Sequence, residues 1–160
     1  MARIWKISIP VRPKAVQSVR MAGRGFYVDP AVRKWKDSIR PYIKAACYGE
    51  APTELPLRIN KIRYLFKYPQ SAPKNVRDYI DAGGVVPYIG TTDITDNLAK
   101  GLVDTCAGLV FANDKLIWRT AEAEKVYAKE DGIYIEFEET PDVFLIDGKP
   151  ASGEMPEGLF

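Results

Sequence analysis

The order of hydrophobic patterns along the chain restricts its fold more than any other feature of the sequence. Apolar runs of strand length occur near the start, in the middle and near the end: Ile4–Ile9, Leu57–Tyr68, Leu116–Arg119, Lys125–Lys129 and Ile133–Glu138. Between them, apolar residues at helical spacing follow Asp29-Pro30 and extend from about Thr95 to Ala107, with a shorter helix expected near Val76–Ala82. This order predicts one α+β (mixed α/β) domain, a small mixed sheet with two main helices.

The first main helix has local signals at its start and inside it. Asp29 can cap the helix, and Pro30 suits the first helical position. Pro41 lies inside the pattern and is expected to kink or shorten the helix. The apolar residues recur at helical spacing: Val32, Trp35, Ile39, Tyr42, Ile43 and Ala46.

Three further signals concern the strands and the second main helix. A change of apolar phase between Ile59 and Ile62 indicates a β-bulge or a two-sided environment in the long strand. Gly108 suits the position after the helix end, and Asp131-Gly132 is typical of a hairpin turn between the last two strands. We expect the domain to span residues 1–140, followed by a C-terminal tail over residues 141–160.

Length and composition indicate a soluble, single-domain protein. The chain has 160 residues, a usual length for one domain. No apolar run approaches the roughly 18 residues of a membrane-spanning helix, and the N-terminus lacks the apolar segment of a signal peptide. We therefore expect a cytoplasmic protein. Cys47 and Cys106 lack metal-site spacing, and we expect both to be reduced and buried.

The sequence contains no histidine. This excludes Ser-His-Asp and Cys-His catalysis, histidine-ligated zinc and a histidine general base. Hydrolytic chemistry in this chain must therefore depend on carboxylates, lysine and a hard metal ion such as Mg²⁺, which prefers oxygen ligands.

Charge is distributed unevenly along the chain. Residues 1–68 hold 15 Lys/Arg and 4 Asp/Glu, a net +11, whereas residues 69–160 hold 8 and 17, a net −9, which together give the overall +2. Such asymmetry is typical of proteins that contact nucleic acids. One stretch, Pro10–Val28, has no acidic residue, and we call it the basic loop. It could follow DNA phosphates or serve only solubility; its cations are Arg12, Lys14, Arg20 and Arg24.

The second main helix and its flanks concentrate the candidate chemistry. Asp96, Lys100 and Asp104 recur every four residues, so that on a helix they form one polar ridge that turns by only about 40° per step. Asp93 would lie at the helix entrance and Asp114 in a turn just past its end. Converging carboxylates with a lysine among them suit divalent-metal binding and phosphoryl transfer.

A purely structural interpretation of the same residues is also open at this point. Asp93 can cap the helix with Asp96 three residues later, an aspartate version of the capping box. Lys100 can form ordinary helical ion pairs with its neighbours on the ridge, and Asn113-Asp114 is a common turn composition. Composition and spacing alone favour this structural interpretation.

A resemblance to a known family favours the catalytic interpretation. The RusA-type Holliday-junction resolvases have an Asp-x-Asp-Asn-Leu-x-Lys helix start, then a helical aspartate, a glycine and an Asp-Asp-type turn. This chain resembles that signature at Asp96-Asn97-Leu98-Ala99-Lys100-Gly101-Leu102-Val103-Asp104, then at Gly108, Phe111 and Asn113-Asp114. The resemblance extends more loosely over most of residues 1–140. It implies a homodimeric endonuclease from a bacterial, phage or prophage setting that uses Mg²⁺, with Mn²⁺ able to substitute, to make paired nicks in four-way DNA junctions.

The signature also implies a role for individual residues. Asp96 matches its second aspartate and Asp114 its third essential carboxylate. Asp93 stands three residues before Asp96 instead of two, so that one residue must loop out for Asp93 to reach the metal. Asn113 stands where members often have another aspartate. The implied set is Asp93, Asp96 and Asp114 as metal ligands, Lys100 as the contact to the scissile phosphate, and Asp104 in a supporting position.

Two other classes of function are compatible with the sequence. One is a non-catalytic DNA-binding module whose carboxylates only cap a helix, and the other is an unrelated structural or phage accessory protein. A nuclease site should bind Mg²⁺ or Mn²⁺ through these carboxylates, whereas a capped helix should not.

A homodimer is expected on grounds of symmetry. Paired cuts in the two equivalent strands of a junction are most simply made by two active sites related by a two-fold axis. The chain is also rich in aromatic residues, which allows an apolar interface that includes Trp35, Tyr42, Tyr64 and Phe66.

Overall fold

The computed structural model describes residues 2–16, 20–22, 25–27 and 29–154. The strands within these ranges are β1 (Ile4–Ile9), β2 (Arg20–Ala22), β3 (Gly25–Tyr27), β4 (Leu57–Lys67), β5 (Ile117–Thr120), β6 (Ala123–Ala128) and β7 (Gly132–Glu139). The helices are α1 (Pro30–Ala46), α2 (Lys74–Asp81) and α3 (Asn97–Cys106), and a short 3-10 turn, Asp114–Leu116, leads into β5. The predicted α+β class is confirmed, with α1 and α3 as the two main helices.

One mixed sheet forms the body of the protein, in the order β1-β7-β4, with β5 and β6 on the far edge of β4. β7 runs antiparallel to both β1 and β4, whereas β5 and β6 run parallel to β4 and follow one another along its second edge. Alternate residues of β7 face the core: Ile133, Ile135 and Phe137 are buried. β2 and β3 pair separately as a short antiparallel ladder.

The central strand β4 contains the irregularity that its sequence predicts. Its pairing with β7 shifts register between Ile59 and Lys61, and Ile59 and Ile62 are both buried, each 3% exposed. A β-bulge adds one residue to a strand, which lets apolar residues three positions apart share a face. The expected phase change is therefore confirmed.

The prediction of a β-hairpin at Asp131-Gly132 is wrong. β6 and β7, both described in full, lie on opposite edges of β4 rather than beside each other. The Asp131 side chain instead closes the end of β4, where its Oδ1 accepts hydrogen bonds from Lys67 N at 2.8 Å and from the Arg12 guanidinium at 2.9 Å. The Asp-Gly motif can reverse the chain, but it does not determine which strands pair. Here β4 is the buried central strand, and β6 and β7 both pair with it.

Helix α1 begins as its sequence predicts. The Asp29 side chain accepts a hydrogen bond from Ala31 N at 2.9 Å, and Pro30 is the first helical residue. The residues of its core-facing side are Val32, Trp35, Ile39 and Ile43.

Two details of α1 differ from expectation. Pro41 does not shorten the helix, which continues to Ala46. Ile39 and Ile43 are fully buried on either side of Pro41, and their burial outweighs the backbone hydrogen bond that proline cannot donate. Tyr42 is 42% exposed, because its position falls off the stripe that faces the core.

Helix α3 packs its apolar side into the core. Leu98, Leu102 and Cys106 are buried, as their spacing predicts. Gly108 follows the end of the helix with a φ of +86°, a left-handed conformation that favours glycine. Both ends of this helix therefore lie close to the expected positions.

The described start of the basic loop, residues 10–16, is attached to α3. Val16 N donates a hydrogen bond to Asn97 O at 2.8 Å. Gly101 allows the close approach, because a Cβ at this position would lie 2.5 Å from Val16 Cγ2 and 3.0 Å from the Trp35 ring. A segment expected to contact DNA is thereby held against the helix that carries the candidate chemistry.

The cysteine prediction is confirmed, since Cys47 and Cys106 are both free and buried. Burial raises the pKa of each thiol, which disfavours the reactive thiolate. Among the helices in the described ranges, none combines the length and the apolar composition of a membrane-spanning segment.

The described part of the expected tail, residues 141–154, reverses on itself. Leu145 N donates to Lys149 O and Ala151 N donates to Val143 O, each at 2.9 Å. The boundary between domain and tail at residue 140 stays a prediction.

Candidate active site

The acidic turn, residues 92–97, leads into α3 and is held together by its own side chains. Asp93 Oδ1 accepts hydrogen bonds from Thr95 N at 2.8 Å and from the Thr95 hydroxyl at 2.6 Å. In return, Asp93 N donates to Asn97 Oδ1 at 2.8 Å, and Leu98 N donates to Asp93 O at 3.0 Å. An aspartate that accepts from the residue two positions later forms an Asx turn, a common way to begin a helix.

The pKa of the Asp93 carboxyl lies below its ordinary value. The hydrogen bond from the Thr95 hydroxyl lowers this pKa most, followed by the bond from Thr95 N, and the Lys125 ammonium adds a smaller attraction. Partial desolvation opposes these effects without overcoming them. Asp93 is therefore a charged acceptor at neutral pH.

Asp96 immediately precedes α3, but its carboxylate does not cap the helix. The Asp96 carbonyl accepts from Lys100 N at 3.1 Å, and the side chain is exposed. The aspartate capping box considered from the sequence is therefore not formed, because Asn97 rather than Asp96 returns the hydrogen bond to Asp93. The Asp96 carboxylate instead lies exposed at the N-terminal end of the helix.

Asp114 lies in the 3-10 turn after α3 and faces the same cavity as the acidic turn. Asn113 Oδ1 accepts from Lys115 N at 3.0 Å and fixes the start of the 3-10 turn. The cavity has a volume of about 500 Å³. It is bounded by Asp114, by Ile94 and Thr95 of the acidic turn, by Ala99 and Val103 of α3, and by Ile59 and Ile117 of the sheet.

The loop before the 3-10 turn is anchored to a buried carboxylate. Thr53 N donates to Val110 O and Ala112 N donates to Thr53 O, each at 2.9 Å. The Thr53 hydroxyl donates to Glu139, which is 5% exposed and also accepts from Arg3 N at 2.8 Å. A buried carboxylate satisfied by several donors is a stable anchor, so the 3-10 turn begins from a fixed point.

The predicted polar ridge on α3 is only partly formed. Lys100 is half-buried and lies one turn after Asp96. Asp104 is directed towards α1, with 3.7 Å between its Oδ2 and Lys36 Nζ. Asp104 therefore takes part in the contact between the two main helices.

The donor chemistry of the candidate site fits a hard divalent cation, but its geometry gathers no complete ligand set. Asp93, Asp96 and Asp114 offer oxygen ligands, the type that Mg²⁺ prefers. Across the described ranges, however, no three Asp, Glu or Cys side chains lie close enough together to hold a metal ion. The Asp93 carboxylate accepts hydrogen bonds from Thr95 rather than converging with other carboxylates.

The described cations of the basic loop have different surroundings. Arg12 pairs with Asp131 at 2.9 Å, and its Cζ lies 5.1 Å from the centroid of the Phe66 ring. Arg12 therefore contributes to the closure of the sheet end. The other cations predicted to bind DNA are Lys14, which is half-buried, Arg20, the first residue of β2, and Arg24, which lies outside the described residues.

Lys125 is near the acidic turn, although no motif in the sequence singles it out. Its ammonium donates a hydrogen bond to Thr92 O and lies 5.8 Å from the centroid of the Tyr88 ring. Tyr88 N donates to Lys125 O at 3.0 Å, so the segment after α2 runs along β6. Only the pairing of these distant segments brings Lys125 to the turn.

Comparison with known proteins supports the resemblance seen in the sequence. A family model described as Endodeoxyribonuclease RusA matches residues 9–138, most of the 160-residue chain. The match covers the basic loop, the acidic turn, α3 and the 3-10 turn. A comparison with curated proteins gives no match. Members of the matched family are nucleases that resolve Holliday junctions. The chain belongs to the RusA family of endodeoxyribonucleases.

Proposed function

We propose that this protein is a Mg²⁺-dependent endonuclease that nicks four-way (Holliday) DNA junctions. Membership of the family supports nuclease activity on branched DNA. The observation that carries the proposal is the shared cavity, in which Asp114 and the acidic turn bound one concave surface beside the start of α3. Asp114 lies on this surface, and Asp96 and Lys100 lie at the adjoining start of α3. Carboxylates with a lysine among them suit phosphoryl transfer.

Each residue of the proposed set has its own task. Asp96 and Asp114 would supply oxygen ligands for Mg²⁺, for which Mn²⁺ can substitute, and the family signature implies Asp93 as a third ligand. When bound, the ion supplies a Lewis acid at the phosphate and a more acidic water molecule. Lys100 would offset the negative charge that develops on the phosphate during cleavage. Asp104 would support the position of α3 against α1.

A cleavage assay tests the activity and its substrate together. A labelled four-way junction and a linear duplex are incubated with the protein, with and without Mg²⁺. We expect paired nicks in the junction only when Mg²⁺ is present, and little cutting of the duplex. Equal cutting of both DNAs would contradict junction selectivity, and cutting in the presence of a chelator would contradict the metal requirement.

A non-catalytic DNA-binding protein is the second candidate, and the hydrogen bonds of Asp93 favour it in part. They stabilise the start of a helix without any metal ion. Mn²⁺ titration followed by electron paramagnetic resonance separates the two candidates. A nuclease site should bind Mn²⁺ in the wild type and lose it in the Asp96→Asn, Asp114→Asn variant, whereas a module with capping carboxylates should bind none in either.

The setting that fits this proposal is the cytoplasm, in a bacterial, phage or prophage context. Four-way junctions arise there during DNA recombination and repair. Cell fractionation that placed the protein away from the DNA would contradict the proposal.

The basic loop is expected to supply affinity for DNA. Neutral replacements of all four cations should weaken junction binding. The log–log slope of affinity against salt should flatten by about 0.9 for each phosphate that the loop no longer neutralises. Arg12→Gln alone should change the slope least, because Arg12 already pairs with Asp131. Binding is measured by fluorescence anisotropy at several salt concentrations. The replaced residues are Arg12, Lys14, Arg20 and Arg24.

Lys149→Gln is a control for the basic-loop variant that removes one positive charge outside the loop. Lys149 is exposed and lies beyond the range that matches the family model. Its replacement should leave the slope unchanged. A quadruple variant with the affinity and slope of this control would assign the loop charges to solubility.

We propose that the protein acts as a homodimer. Trp35, Tyr64 and Phe66 cannot contribute to an apolar interface, because they are buried inside one chain; of the four aromatic residues considered, Tyr42 is substantially exposed. The proposal therefore depends on the two-fold symmetry of paired cuts. Light scattering at micromolar concentration should give twice the 17.9 kDa mass of one chain. A stable species with the mass of one chain would contradict the dimer.

A further inference from the structure

The Asp93 carboxylate already has donors within the protein. Its Oδ1 accepts two hydrogen bonds from Thr95, at 2.8 Å and 2.6 Å. A carboxylate oxygen offers two lone-pair sites, so these two bonds saturate Oδ1. Hydrogen bonds to an ionised acceptor are stronger than neutral ones, and a metal ion that took Oδ1 would have to displace them. A metal ion that took Oδ2 instead could bind only where these bonds hold the carboxylate.

The residues between Asp93 and Asp96 are not looped out. Ile94 packs against the hydrophobic core and bounds the shared cavity. Thr95 makes both hydrogen bonds to Asp93. For Asp93 to reach the ligand position that the family signature implies, one of these residues would have to leave its place. That movement would lose either apolar burial or hydrogen bonds to a charged group.

The backbone around Asp93 is held on both sides. Asp93 N and O are bonded to Asn97 and Leu98 at the start of α3, at 2.8 Å and 3.0 Å. On the other side, the Lys125 ammonium donates to Thr92 O from β6. The turn is therefore attached to the helix at one end and to the sheet at the other.

We propose that Asp93 is a positioning residue that fixes the acidic turn, rather than a metal ligand. The inference rests on the proposed function and changes its ligand set. Asp93 holds the backbone from which Asp96 presents its carboxylate, and Asp96 and Asp114 then serve as the protein ligands. Mg²⁺ is commonly bound by one or two carboxylates and keeps several water molecules, so this smaller set suffices.

Asparagine and alanine at residue 93 separate the two roles. Asparagine keeps the side-chain oxygen that accepts from Thr95, whereas alanine removes it. We expect Asp93→Asn to keep its Mn²⁺ affinity within about threefold of the wild type, since only one charge across solvent is lost. Asp93→Ala should weaken Mn²⁺ binding about 10- to 100-fold, the usual effect of removing a group that orients a ligand. Asp96→Asn, which removes a ligand, should weaken it at least as much, and junction cleavage should follow the same order.

Equal loss of Mn²⁺ affinity in Asp93→Asn and Asp96→Asn would overturn the inference. Amide hydrogen exchange at Thr95 gives a second readout that needs neither metal nor DNA. We expect protection of this amide in the wild type and in Asp93→Asn, and its loss in Asp93→Ala; unchanged protection in Asp93→Ala would also overturn the inference. If the proposed function fails instead, the wild type itself will neither bind Mn²⁺ nor cleave the junction. The expected difference in Thr95 amide exchange between the two Asp93 variants would still be observed.

Discussion

The Asp96→Asn, Asp114→Asn variant should lose junction cleavage by at least about 1,000-fold while it remains folded, since the charged groups closest to the reaction are removed. Its free energy of unfolding should be unchanged or slightly higher than that of the wild type. Two carboxylates that share a metal site repel each other without the ion, and amides do not. DNA binding should persist, because the loss of negative charge near phosphates cannot weaken electrostatic attraction.

A matched control for this variant changes the same charge elsewhere. Asp142 and Asp147 are exposed and lie beyond the range that matches the family model. The Asp142→Asn, Asp147→Asn variant gains the same net charge and should cleave like the wild type. Single-turnover cleavage, urea denaturation and anisotropy binding are measured on both variants. Full Mg²⁺-dependent cleavage by the Asp96→Asn, Asp114→Asn variant would end the catalytic assignment.

Phe111→Ala should cause a large loss of stability, about 3–5 kcal/mol in the free energy of unfolding. Phe111 is fully buried, and its ring contacts that of Phe137 edge to face, with 5.6 Å between the centroids. Such a loss is a large share of the roughly 5–15 kcal/mol that stabilises a domain of this kind. Because Phe111 belongs to the loop that precedes the 3-10 turn, we expect the substitution to displace Asp114 as well.

Phe144→Ala is the control, since it removes the same side chain from an exposed position. Phe144 is 47% exposed, so its loss should change the free energy of unfolding by no more than about 0.5 kcal/mol. Urea denaturation of both variants measures the difference. If Phe111→Ala lowered the free energy of unfolding as little as Phe144→Ala does, the packing described for this loop would be contradicted.

The ends of several elements could be predicted from sequence because local chemistry sets them. β1 has the expected bounds, Ile4–Ile9, since proline follows it and cannot extend the ladder. α1 starts at Pro30 behind the Asp29 cap for reasons contained in those two residues. α3 starts within two residues of the expected position, because its apolar spacing is regular.

Pairings between distant segments could not be predicted in the same way. The pattern at Asp131-Gly132 indicates a reversal, but not that β4 would lie between the strands on either side. Likewise, Trp35, Tyr64 and Phe66 have the composition of an interface or a core, and only the packing of the chain places them in the core. The types of side chain determine how apolar a surface is, whereas the tertiary fold determines which other surface packs against it.

The candidate site shows the same division. Residue type, spacing and the resemblance to the family signature single out the aspartates and Lys100 as candidates, and their roles stay a proposal. The bond between Asp93 and Thr95 spans two residues, yet the sequence equally allowed a capping box with Asp96. Lys125 carries no local signal at all, since its contact with Thr92 joins residues 33 positions apart.

The central place of β4 sets the order in which the chain can be assembled. β4, at Leu57–Lys67, leaves the ribosome before the strands that flank it, which lie between Ile117 and Glu139. β1 likewise cannot pair until β7 has been synthesised, because Ile4 pairs with Glu138. Contacts so distant in sequence form slowly, since a long loop must close before they stabilise anything. The apolar side chains of β4 therefore lack their flanking strands while residues 68–116 are synthesised, and a chaperone that binds extended apolar segments would find its target in this strand.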